Sequence, residues 1–192
     1  MPADLDHSSS RPGSADIEAL FNRLFFDEFN TRLEGGGEEP VYLPADDNCS
    51  HNRLVYRADF ASSALHETAH WCIAGAVRRQ QVDFGYWYAP EDRDSQQQKK
   101  FECAEIKPQA LEWCFSVAAG LPFQVSVDNF SVGEQQRLAF TARVREQVSQ
   151  YLQYGLPERA QCFCDALRSE YGGSLLPGAS VADDERASVA PR

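Results

Sequence analysis

The chain has 192 residues, 43% hydrophobic and 24% charged, with 18 Lys plus Arg against 29 Asp plus Glu and a formal net charge of −11. That size and composition fit one globular domain with room for tails. The negative charge argues against nonspecific binding to nucleic acid or anionic membrane, which both need positive surface.

No run of about 18 apolar residues occurs, so no membrane-spanning helix is expected. The N-terminal MPADLDHSSSRPGSADI has neither the basic start nor the apolar stretch of a secretory signal, so a cytoplasmic location is expected. The six cysteines then read as reduced thiols. They lack paired C-x-x-C zinc spacing; Cys162 and Cys164 are separated by a single residue.

Residues 1–14, rich in Ser, Pro and Asp, are expected to be a disordered tail, and 173–192 a second one. The folded part is residues 15–172. Asp16 is placed to cap a helix with Ile17, Leu20, Phe21, Leu24, Phe25 and Phe29 on one face. Gly35-Gly36-Gly37 is expected to end it. Val41–Leu43 and Leu54–Tyr56 read as short strands. A strongly helical segment follows Asp59, over about 60–79. In QVDFGYWY the apolar Val82, Phe84, Tyr86 and Tyr88 alternate with other residues, as in a strand. PEDRDSQQQKK reads as a loop or an exposed helix start.

Pro108 suits the first turn of a helix running through Trp113 to about Ala119. A long helix is expected over 134–154, with Leu138, Val144, Val148 and Leu152 inward. Pro157 opens a last helix, with Phe163, Ala166 and Leu167 inward and Gly172 past its end. The class is α+β: helix-rich, one domain, with a small sheet of about three strands.

The chemistry concentrates in Leu65-His66-Glu67-Thr68-Ala69-His70-Trp71, which contains H-E-x-x-H. Spacing i, i+4 sets both imidazoles on one helical face, where two ring nitrogens can reach one metal ion with Glu67 beside it. The plainer reading is a helix that merely carries two histidines. Leu65, Ala69, Cys72 and Ile73 make this a buried helix, however, and buried polar side chains without a partner are costly.

A third ligand is needed. Ile73 and Ala76 stand where the longer metzincin pattern has Gly and His, which excludes that class. His7 lies in the tail, and His51 in the polar loop DDNCSHN. A carboxylate from FECAEIKPQALEW is preferred: Glu105 first, then Glu102, then Glu112. Each is otherwise an ordinary helix-start glutamate favoured by the dipole. With zinc the set would form a hydrolytic, peptidase-like site with Glu67 as general base. With iron(II) it would be the two-histidine, one-carboxylate triad of non-haem oxygenases. A metal-stabilised binding module is a third reading, and spacing alone does not choose.

ALHETAHWCIAG, VDFGYWY and FECAEIKPQALEWCFSVAAGLPF, with EFNTRLEGG, EEPVYLPADD and YGLPERAQCF, resemble the elongation factor P hydroxylases of bacteria over about 25–167. The resemblance implies a metal-dependent oxygenase that hydroxylates the lysine of elongation factor P already carrying a β-lysyl group. It implies iron(II) at His66, His70 and Glu105, dioxygen as co-substrate, and Glu67 near the chemistry. The H-x-D…H pattern of jelly-roll dioxygenases is absent, so a 2-oxoglutarate requirement does not follow. A substrate carrying ammonium groups fits an acidic protein. Asp83, Glu91, Asp92 and Asp94 are candidates to bind the amines, and Tyr86, Trp87 and Tyr88 to line the aliphatic stem. Asp83, Tyr86 and Asp94 are the preferred three. Arg78 and Arg79 are expected to end the metal helix, where basic residues suit the dipole or could dock the protein partner.

Overall fold

The first helix, α1 (Ser14–Phe29), buries Ile17, Leu20, Phe21 and Phe25 as one stripe. These side chains repeat at helical spacing, so burying them fixes how the helix sits. The Asp16 carboxylate accepts the Gly13 N–H at 2.8 Å and so satisfies one free donor at the start. This computed structural model describes residues 11–84, 94–127 and 133–174. The expected tail therefore lies mostly outside the described residues at both ends.

The helix ends earlier than the glycine triplet. Asn30, at φ 47°, makes the left-handed turn, and the glycines belong to strand β1 (Thr31–Gly37). Short polar side chains tolerate that conformation. The strand is hard to see in TRLEGGG because charge and glycine lower β-propensity. A side chain at Gly35 would strike the Tyr56 hydroxyl. Strands β2 (Val41–Leu43) and β3 (Asn52–Arg57) follow. The sheet order is β1-β3-β2, with β3 parallel to β1 and antiparallel to β2. Leu54 pairs with Leu33 on one side and Tyr42 on the other, and all three are buried. Of the expected strand at 82–88, only residues 82–84 are described. Asp83 alone makes a bridge, to Tyr42, and residues 85–93 lie outside the described residues.

Helix α2 (Ala61–Ile73) is shorter than the expected 60–79. Ala74 is already extended and Gly75 follows, so the chain leaves the helix before Arg78 and Arg79, which form a separate turn at Arg78–Gln80. Helix α3 (Ser95–Ala118) is longer than expected, with Pro108 inside it. Its start is set by Asp94, whose Oδ1 accepts the Gln96 and Gln97 N–H groups at 2.8 Å each, while the Gln97 side chain accepts the Asp94 N–H at 2.9 Å. This reciprocal cap begins the helix well before the proline.

Helix α4 (Glu134–Tyr154) presents Phe140, Val144 and Val148 to the core. Leu138 and Leu152 are 61% and 48% exposed, off that stripe, contrary to expectation; Tyr151 packs at the helix end instead. Helix α5 (Glu158–Tyr171) buries Phe163 and Leu167, with Ala166 packed beside them, and ends in Gly172 at φ 70°. Five helices and a three-stranded sheet among the described residues make the α+β class. Phe21, Phe25, Trp71, Phe115 and Phe163 form an aromatic cluster where α1, α2, α3 and α5 meet.

Candidate metal centre

The turn of α2 that carries His66 and His70 faces α3, which carries Glu105 and Glu112. The helical repeat sets both imidazoles on that face, and packing against α3 brings the carboxylates to them. His66 Nε2 and His70 Nε2 are 3.1 Å apart. His70 Nε2 is 3.2 Å from Glu105 Oε1, and His66 Nε2 is 3.5 Å from Glu105 Oε2. A divalent first-row ion takes such donors at about 2.0–2.2 Å, which sets neighbouring donors about 2.9–3.5 Å apart. The three edges match that spacing. These residues are the donor group among the described residues that could hold a metal ion.

Glu105 is 3% exposed, and its Oε2 is buried with no hydrogen-bond partner. A buried anionic oxygen with no hydrogen bond, its imidazole neighbour His66 Nε2 at 3.5 Å, is costly, and a cation between it and the imidazoles would remove that cost. The donor set therefore fits a divalent metal. Behind His66, Glu112 Oε2 lies 2.8 Å from Nδ1. As an acceptor it holds the proton on Nδ1 and leaves the Nε2 lone pair for a ligand.

The electrostatics follow from the same contacts. Burial works against charge on His66, yet the hydrogen bond to Glu112 and the charges of Glu112, Glu105 and Glu67 push its pKa up to about 10. Burial would raise Glu105, but the hydrogen bond from His70 and the two imidazoles hold it down to about 2. Both shifts describe a cluster that attracts positive charge, which a metal ion supplies by displacing a proton. Burial pushes the Glu67 carboxyl upward, and the imidazoles only partly oppose this.

The other candidates fall elsewhere. Glu102, 2% exposed, pairs with Arg143 and accepts from Gln136 Nε2 at 2.6 Å, so its carboxylate ties α3 to α4. His51 lies 3.2 Å from Glu34. Asp83 lies in the wall of a cleft beside His70, in an ion pair with Arg78. Asp94 is exposed and spends one oxygen on the α3 cap. Tyr86, Trp87, Tyr88, Glu91 and Asp92 lie outside the described residues, as does His7.

Sequence reasoning did not anticipate Arg159 of α5. Its Nη2 lies 2.9, 2.9 and 2.7 Å from the carbonyl oxygens of Trp71, Cys72 and Ala74. The guanidinium also sits 4.6 Å from the Trp71 ring centroid. It caps the C-terminal end of the helix that carries His66 and His70, where a cation is favoured. Arg79 adds a bond to the Ala74 carbonyl at 2.6 Å. Only the basic character of ERAQ was visible beforehand; its target is 85 or more residues away.

Residues 20–180 match the family described as Elongation factor P hydroxylase. A Haemophilus influenzae protein named Elongation factor P lysine hydroxylase is 47% identical over 156 residues, which cover 81% of this chain and 88% of that relative.

Proposed function

The chain belongs to the elongation factor P hydroxylase family, and on that premise we propose that it hydroxylates the β-lysyl-lysine side chain of elongation factor P with iron(II) and dioxygen at His66, His70 and Glu105. It is accordingly an oxidoreductase acting on a lysine of elongation factor P. The observation that carries the metal is the buried Glu105 carboxylate, one oxygen without a hydrogen bond, facing two imidazoles at ligand spacing.

Two histidines and one carboxylate leave positions open, unlike a closed structural site of four protein ligands. Iron(II) in such a set supplies redox chemistry with dioxygen. The protein's part is to hold, orient and exclude. His66 is fixed in tautomer and ring plane by Glu112. Glu105 brings the negative charge that balances a divalent ion. Thr68, Ala69 and Cys72, buried on α2, pack the helix against its neighbours and keep bulk water from the protein side of the cluster. Glu67, next to His66, is the catalytic carboxylate on the substrate side, and Asp83 belongs to the wall of the same cleft.

No helix among the described residues is long and apolar enough to cross a membrane. We place the protein in the cytoplasm with its translation-factor substrate. Nucleic acid and membrane are not partners in this reading; the negative charge disfavours both.

Iron-reconstituted protein is incubated with β-lysylated elongation factor P, and the product mass is read. A gain of one oxygen atom on the modified lysine, lost in His66→Ala, is expected. Absence of any gain under several reductants would overturn the reading. Peptide cleavage that disappears in Glu67→Gln would transfer it to a zinc hydrolase.

A further inference from the structure

A cleft opens beside the centre on the His70 side, lined by Tyr42, Leu54, Glu67, His70, Trp71 and Ala74. Its basic residues are already engaged. Arg78 pairs with Asp83 at the rim. Arg79 donates to the Ala74 carbonyl, and its guanidinium lies over the Phe29 and Trp71 rings. The Tyr42 hydroxyl donates to the Arg79 carbonyl at 3.0 Å.

Glu67 is the exception. Its half-buried carboxylate lines the cleft with no hydrogen-bond or ion-pair partner among the described residues. A carboxylate so placed, next to apolar walls, is stabilised when something cationic comes to it. The wall chemistry says what kind of cation. Leu54, Trp71 and the Tyr42 ring offer apolar and aromatic surface along which methylenes can lie and over which an ammonium is attracted.

We propose that this cleft is the socket for the aminoalkyl end of the substrate side chain, with Glu67 as the counter-ion of its ammonium. The proposal rests on the reading that the protein acts on a lysine-derived side chain. Glu67 then sets specificity for a charged side chain over a neutral one of equal length, and its grip fixes how far the chain slides past His70.

The test uses the full-length protein under nitrogen, so that binding is read without turnover. Dissociation constants are measured for elongation factor P carrying either the β-lysyl group or a hexanoyl group of the same chain length without the amines. The wild-type protein is expected to prefer the β-lysyl form by about tenfold or more, the effect of one hydrogen-bonded charge. Glu67→Gln is expected to abolish that preference while leaving hexanoyl binding and metal content unchanged. Ala74→Leu, which adds bulk to the cleft and leaves the Glu67 charge in place, is expected to weaken both forms. Equal binding of the two forms by the wild type, a preference that survives Glu67→Gln, or wild-type binding by Ala74→Leu would each overturn the proposal. Failure of the hydroxylation assay with the binding pattern intact would overturn the reaction and leave the socket standing.

Discussion

Glu102 and Glu105 differ by three residues and are almost equally buried, yet they do different work. Glu105 faces imidazoles; Glu102 faces Arg143 and Gln136. Glu105→Ala is therefore expected to abolish metal retention in an equilibrium dialysis experiment. Glu102→Ala should keep the metal and lower stability by about 1–2 kcal/mol in urea unfolding, because half-exposed Arg143 can turn to water. Glu112→Gln removes the charge behind His66, and metal affinity should fall about 10–100-fold with the fold intact. At this scale H-E-x-x-H was plain in the sequence, since four residues of helix suffice to determine it. Glu105, Glu102 and Glu112 could be ranked in that order, but their separate contacts were not legible, because each depends on which helix packs opposite.

Among the elements, helix ends were harder to read than helix faces. The stripes of α1 and α5 are periodic, and burial follows them. The start of α3 was hidden in a polar run, where Asp94 and Gln97 form a reciprocal cap but also resemble a loop. The end of α2 depends on Arg159, which no local pattern reveals. Arg159→Leu is expected to cost about 2 kcal/mol of stability by urea unfolding, through lost carbonyl bonds and stacking at a helix terminus. Arg159→Lys should recover only part of it, because an ammonium lacks the planar guanidinium that stacks on Trp71.

For the molecule as a whole, the thiols report how the layers close. Cys72, Cys114 and Cys164 are buried, while Cys103 and Cys162 are exposed. Burial pushes the Cys72 thiol up, Cys114 up to about 12 and Cys164 up to about 11. Iodoacetamide at neutral pH should label Cys103 and Cys162 in the native protein and reach the other three only after denaturation, as read by mass spectrometry. Early labelling of Cys114 or Cys164 would show that α3 and α5 separate readily. The α+β class was legible from alternating helical and short extended patterns. The parallel pairing of β1 with β3 was not, because it joins segments that local sequence leaves independent.

The Arg159 clasp has a consequence for how the protein is made. His66, Glu67, His70 and Glu105 emerge from the ribosome long before residue 159, so the ligand set exists while the last carbonyls of its helix are still uncapped. Synthesis from the N-terminus thus makes the closing contact of this helix only after every candidate ligand has been made. A nascent chain stopped in α4 would hold every candidate ligand and lack the residue that finishes the helix bearing two of them.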